Sequence, residues 1–301
     1  MRFRYDAQIE SQADAVAAVL RRTAPRLDLA RPLLFSGQGS SLHAARVAAA
    51  WAGHPAYAVE SHELALWVPI PEDAQVVAIS HSGGGFTKAV LRKARAAGAQ
   101  TIAVCGEGVQ VEADALVPTC PPERTQTHSV SYVTALAALG QMLGLDLAEA
   151  PALLREALAA PPPVEEAVRL EAKHPLLVAG FGLDAVSASE AALKLKEATF
   201  KWAEGLPLEQ ALHGPQAALN EDMAVVLFPP ALDDGGRSGF LKELCRTLRV
   251  DVVELAILEC AEALRPLVSV VPAQRLAAEL ARLTDGDPDR SRNAATRPRP
   301  D

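Results

Sequence analysis

The feature that most restricts the fold is an alternation of strand and helix signals that runs once along the chain and then starts again. In the first pass, "PLLFS" (32–36), "QVVAIS" (75–80) and "QTIAVC" (100–105) are short apolar runs. The first two lead into helical spacing through "SLHAARVAAAWAG" and "FTKAVLRKARAAG". "ALVPT" is a short run ending in a loop, and "SYVTALAALGQMLGL" reads as a long helix. Strands separated by helices of this length imply a parallel sheet covered on both faces.

After the proline cluster "APPPVEEA" (160–167) the pattern repeats. "HPLLVAGFG" (174–182), "MAVVLFPP" (223–230), "VDVVELA" and "PLVSVVP" are expected as strands, with helices across "GFLKELCRTL" and "AQRLAAELARL". The expected fold class is α/β, with two similar units and mainly parallel sheets. An N-terminal helix over 6–24 and the first unit occupy 1–160, and the second unit occupies 161–285. Ala160–Pro163 is the expected hinge region. The polar end, residues 286–301, is a tail that either docks or stays loose.

Composition narrows the function. Half the residues are apolar and 22% are charged, which suits a globular chain. No window reads as a membrane span, and "MRFRYD" lacks the apolar core of a signal peptide, so cytoplasm is the expected location. A net charge of −8 with scattered basic residues argues against a nucleic-acid surface. Cys105, Cys120, Cys245 and Cys260 form no Cys-x-x-Cys pair and read as buried hydrophobes. No metal or redox cofactor is expected.

Two loops carry anion-binding chemistry. "SGQGSS" (36–41) and "SHSGGG" (80–85) each follow a strand and open a helix, offering hydroxyls and exposed N–H groups. A phosphate group suits that arrangement, because helix N-termini carry partial positive charge and small residues admit close approach. Each loop alone is equally a plain turn with a serine cap. A third hydroxyl cluster, "TQTHS" (125–129), precedes the next helix. Neither Gly-x-Gly-x-x-Gly nor a Walker motif occurs, which favours a small phosphorylated ligand over a nucleotide.

The second pass contains "SASEAALKLKEATFKWAEGLPLEQALHGP" (187–215), in which Glu190, Lys194 and Glu197 fall at i, i+4 and i+7. Such residues form either solvated surface pairs or the charged wall of a site. His213 follows in a His-Gly-Pro turn, which is a surface histidine on one reading and an acid–base group on the other.

The chain resembles the double-SIS (sugar isomerase) domain family, related to the isomerase half of glucosamine-6-phosphate synthase and to SIS-type aminosugar-phosphate deaminases. The likeness runs from about Pro32 to Asn293. It rests on "SGQGSSLHAA", "ISHSGGGFTKAVLRKARAAGAQTIAVC", "SVSYVTALAAL", "DGDPDRSRNAA" and, most specifically, "ASEAALKLKE" with "ALHGP". The resemblance implies two tandem α/β/α sandwiches and a hexose phosphate ligand. It also implies a homodimer with shared active sites. By position, Gly39, Ser40, Ser41, Ser80, Ser82 and Ser129 would hold the phosphate. Glu197 would shuttle a proton between C1 and C2, and His213 would assist ring opening in a neighbouring subunit. His81 and Thr87 join the binding set by their place in the same loop, with Glu190 and Lys194 supporting Glu197.

The sequence also departs from the family pattern. Gly85 stands where a phosphate-binding threonine is usual, His81 and His128 take positions of other polar residues, and Val130 replaces a common lysine. Thr296 stands where the synthase-type isomerase has its Schiff-base lysine, and no lysine follows Lys242. The chain begins without the glutaminase domain, so glutamine is not the expected ammonia source. A threonine cannot capture a ketose as an imine. A 2-amino-2-deoxyhexose 6-phosphate brings its own amine, which favours a deaminase/isomerase acting on glucosamine 6-phosphate. A sugar-phosphate-binding protein without catalysis and a deglycase of fructosamine 6-phosphate type are the alternatives.

Overall fold

A computed structural model describes residues 2–293. In chain order the elements are α1 (Arg4–Leu20), β1 (Leu33–Gly37), α2 (Ser40–Ala52), β2 (Ala56–Glu60), α3 (Ser61–Leu66), β3 (Gln75–Ser80), α4 (Gly85–Ala96), β4 (Gln100–Cys105), β5 (Ala115–Pro118) and α5 (Val130–Leu143). They continue with α6 (Ala150–Ala159), α7 (Val164–Leu170), β6 (Leu176–Gly180), α8 (Asp184–Thr199), β7 (Ala203–Pro207), α9 (Leu208–Leu212), β8 (Ala224–Leu227), α10 (Arg237–Leu248), β9 (Asp251–Glu254), α11 (Arg265–Val268) and α12 (Val270–Leu283).

The strands form two wholly parallel sheets, ordered β2-β1-β3-β4-β5 and β7-β6-β8-β9. The α/β expectation, with two tandem units, therefore holds. Central strands are buried end to end, as in β1 and β6, because helices cover both of their faces. In the second sheet the two faces have separate cores. Leu176, Val178, Ala224 and Val226 pack with Ala191 and Leu195 of α8 and Leu276 and Leu280 of α12. Residues of the opposite parity, Leu177, Ala179, Val225 and Leu227, pack with Leu208 and Leu212 of α9 and Leu241 of α10.

The chain divides into two compact units. The first comprises Ser11–Glu123 and Ser129–Pro151. The second takes, of the described residues, those as far as Glu10, Arg124–His128, and residues 152–293. The boundary thus falls between Pro151 and Ala152, in the first turn of α6, not after residue 160. Arg275 Nη1 of α12 donates to the carbonyls of Ala157 and Ala160, and Leu158 packs on the second unit's core, so α6 is held there. The expected first-unit cluster "TQTHS" is likewise split, with 124–128 in the second unit.

The tail docks through the described residues. Asp289 caps α1, accepting the N–H groups of Arg4 (2.9 Å) and Tyr5 (3.0 Å). Pro288 C=O accepts the N–H of Thr127, and Gly286 lies so close to α8 that a Cβ there would sit 2.3 Å from the Ala198 carbonyl. Thr296 lies outside the described residues.

"PLVSVVP" is helical, not extended, and forms α11 and the start of α12. Every residue from Arg265 to Val271 is buried, so no polar face marks the helix, and an apolar run without periodicity fits either structure. The strands β2 and β7 went unread for the opposite reason: both are sheet edges, only partly buried, and low in branched apolar residues. Among the described residues no helix is long and apolar enough to cross a membrane.

A buried ion pair ties α11 to the start of α8. Arg265 Nε donates to Asp184 Oδ2, and its Nη2 donates to the Pro229 carbonyl at 2.6 Å. Burial raises the Asp184 carboxyl above its ordinary 3.8, opposed by hydrogen bonding and charge from Arg265 and by the Ser269 hydroxyl. The folded protein holds that proton more tightly than the unfolded chain does. The associated stability is present below the ordinary value and is lost as pH rises through the raised one. Asp184→Asn is expected to flatten this part of the stability–pH curve while weakening the protein at neutral pH, where Arg265 loses its counter-charge. Urea unfolding of both proteins across the acid range checks this, and an unchanged slope would refute it.

Candidate active site

In the first unit the two glycine loops have the geometry that their sequences suggest. A Cβ on Gly37 would lie 2.3 Å from the Ser41 carbonyl carbon, so only glycine lets β1 turn so tightly into α2. Gly39 has φ 55° and caps α2, accepting the N–H groups of Leu42 and His43. Ser40 and Ser41 begin that helix. In the β3–α4 loop, Ser80 Oγ accepts the Gly83 N–H at 3.1 Å, which leaves its own proton to donate. Ser82 is exposed, and Thr87 is buried on α4.

Ser40, Ser41 and His81 line one pocket, which they share with Thr119, Ser131 and Tyr132. The structure thus joins residues of three helix-starting segments. Ser129 takes a different role. It is fully buried, and its N–H donates to Glu123 at 2.8 Å, with its hydroxyl 3.5 Å from the same carboxylate. Gly39, Ser80, Ser82, Thr87 and Ser129 are not among the residues lining this pocket.

His81, Cys120 and Glu123 place one potential ligand atom each within 4.8 Å of one another. The donor chemistry does not suit a cation. His81 Nε2 accepts the Glu123 N–H at 2.9 Å, so in the neutral ring the proton sits on Nδ1 and no lone pair is left to coordinate. Burial pushes the Cys120 thiol up to about 11. Cys105 and Cys245 are buried as expected and likewise pushed up to about 11, whereas Cys260 is only half-buried.

In the second unit the charged stripe of α8 faces inward. Lys194 is 1% exposed and Glu190 0%, with Lys194 Nζ 3.5 Å from Glu190 Oε1 and 2.7 Å from Glu197 Oε2. The solvated-surface reading is excluded for these residues. Glu197, 24% exposed, is the member that reaches accessible space. Burying an ammonium is tolerable only with close counter-charges, and two carboxylates one turn either side provide them. His213 ends α9, its N–H bonded to the Gln210 carbonyl, with Gly214 at φ 118° and Pro215 opening a short 3₁₀ turn. Its side chain is exposed and makes no hydrogen bond among the described residues. None of the hydrogen bonds or ion pairs here joins it to Glu197.

Comparison with known proteins bears on the fold and the family. No protein-family model matches the chain. The glutamine–fructose-6-phosphate aminotransferase (isomerizing) of Acidithiobacillus ferridurans is 31% identical over an alignment covering 87% of this chain and 51% of that protein. Its counterpart from Thermococcus kodakarensis is 30% identical, covering 92% and 53%. The chain spans about half the length of the curated relatives it matches. Among solved structures, glucosamine-6-phosphate deaminase from Thermotoga maritima superposes with a TM-score of 0.83 at 19% identity, covering 95% of this chain and 97% of that one. The C-terminal domain of glucosamine-fructose-6-phosphate aminotransferase from Francisella tularensis gives 0.78 at 21%, covering 96% and 98%. The chain belongs to the SIS domain family.

In this SIS protein the pocket residues Ser131, Tyr132 and Thr119, and the carboxylate of Glu123, carried no signal in the sequence. Ser131 and Tyr132 sit inside a helix whose whole surface reads as apolar. Glu123 is one acid in a proline-bearing loop. The buried lysine supplies a direct test. Lys194→Met is expected to destabilise the protein by about 3–5 kcal/mol, because it strips two closely placed carboxylates of their shared cation. Urea unfolding measures this, and a loss below about 1 kcal/mol would mean that the array is no more than a weak surface pair.

Proposed function

We propose that this SIS protein is an aminosugar-phosphate deaminase/isomerase that converts glucosamine 6-phosphate and water to fructose 6-phosphate and ammonia. The observation that carries the reading is the buried array on α8, which presents one partly exposed carboxylate, Glu197, held by a lysine that is itself buried. A fixed carboxylate that can take and return a proton is what movement between adjacent sugar carbons requires. The names of the relatives and of the Thermotoga maritima structure support an aminosugar phosphate as substrate.

The chemistry balances without a further cofactor. His213 moves a proton between O1 and O5 to open the ring. Glu197 removes the proton from C2 and returns it at C1, while O1 takes up a proton and the amine gives one up, so that C1 becomes an alcohol and the C2 amine becomes an imine. Water adds to C2, the C–N bond breaks, and ammonia leaves as the ketone forms. Because the substrate carries the nitrogen, no enzyme amine is needed, in keeping with Thr296 at the family's lysine position. Ser40, Ser41, Ser80, Ser82 and His81 would hold the phosphate. The exposed, unbonded side chain of His213 supports a homodimer in which it serves the neighbouring copy, in a cytoplasmic setting where hexose phosphates are retained.

A second reading is a sugar-phosphate sensor, favoured by the loop in which Gly85 replaces a threonine and His81 Nε2 is already engaged. One assay separates the two. Purified protein given glucosamine 6-phosphate is expected to release ammonia and fructose 6-phosphate in equal amounts. Glu197→Gln is expected to lower kcat by about 10²–10⁴-fold with little change in KM. Ligand-induced thermal stabilisation without turnover of any 2-amino-2-deoxyhexose 6-phosphate would replace the enzyme with the sensor.

A further inference from the structure

Glu123 occupies the loop after β5, and its two ends bind two different walls of one pocket. Its carboxylate accepts the N–H groups of Ser129 (2.8 Å), Val130 (3.0 Å) and Ser131 (2.8 Å), the first turn of α5. Its own N–H donates to His81 Nε2 at 2.9 Å. Ser131 and His81 line the pocket together with Ser40, Ser41 and Tyr132.

Resting on the sugar-phosphate reading of this pocket, we propose that Glu123 is its positioning residue: it fixes Ser131 and His81 relative to each other and decides which end of the ligand faces α5. The opening N–H groups of a helix lack intrahelical partners and attract anions. Here an internal carboxylate satisfies three of them with charge-assisted bonds, so the α5 terminus is closed to a phosphate. The carboxylate also repels a dianion placed beside it. The phosphate is thereby directed to Ser40 and Ser41 at the start of α2, and Ser131 is left for the neutral sugar portion. The His81 bond adds a constraint on the ring. An accepting Nε2 puts the proton of the neutral ring on Nδ1 and fixes the orientation of the imidazole in the pocket wall.

The test is calorimetric titration of fructose 6-phosphate into wild type, Glu123→Ala and Glu123→Gln, with melting curves to establish that each is folded. Glu123→Ala is expected to bind about tenfold more weakly or worse, since three buried N–H groups lose their acceptor and the wall they hold loosens. Added formate, which can fill the vacated place of the carboxylate, is expected to restore most of the affinity, an effect that a general loss of stability would not show. KM for glucosamine 6-phosphate should rise by the same factor while kcat changes less. Should the alanine variant be too unstable to titrate, the near-isosteric Glu123→Gln carries the comparison, with weaker binding expected there too. Wild-type affinity in a folded variant, or a loss that formate leaves untouched, overturns the positioning role and spares the proposed function. Failure of the wild type to bind any hexose 6-phosphate overturns both.

Discussion

An ammonium group with almost no solvent contact allows two carboxylates to share one face of α8. Lys194 is tolerable in the interior because Glu190 and Glu197 lie one turn to either side, and Glu190 is tolerable because Lys194 is there. Neither partner can be exposed or deleted alone without leaving a charge in a poor solvent. The helix that carries them is therefore fixed in rotation about its axis. Its alanines, Ala188, Ala191, Ala192 and Ala198, pack against the second sheet and α12, while the charged stripe takes the remaining face. Close approach completes the arrangement: a Cβ on Gly205 of β7 would lie 2.4 Å from the Ser189 Cα.

The same device recurs in the first unit with a different cation equivalent. There a glutamate meets the partial positive charge of a helix start instead of a lysine, and three backbone N–H groups replace one ammonium. Both units thus hold an inward carboxylate by a local positive partner. In the second unit the array leaves one carboxylate partly exposed for chemistry. In the first unit the carboxylate is consumed in building the wall, and hydroxyls and an imidazole are what remain facing the pocket.

Much of the fold was legible because its signals are local. The apolar runs of β1, β3, β4, β6 and β8 are buried on both faces and stand out as such, and Gly37 and Gly39 mark a turn that only glycine can make. The edges were not legible, since β2 and β7 bury too little to need apolar residues. "PLVSVVP" misled because a helix enclosed on every side loses the periodicity that identifies helices. Within the site, spacing placed Glu190, Lys194 and Glu197 on one face but could not say which way that face pointed. Glu123 was invisible for a similar reason, because its role arises from N–H groups that come from a later segment of the chain.

The cap that Asp289 places on α1 brings together segments some 285 residues apart in sequence. Phe3, Tyr5 and Ile9 belong to the second unit's core, alongside residues of α8 and α12. That core is consequently discontinuous, assembled from segments on both sides of the first unit in sequence. The first unit's described strands all lie between residues 33 and 118, whereas the second unit draws on a segment before them and on one that extends to Asp289. Loss of the segment Phe3–Ile9 would accordingly injure the lobe bearing Glu197, not the lobe that follows that segment in sequence.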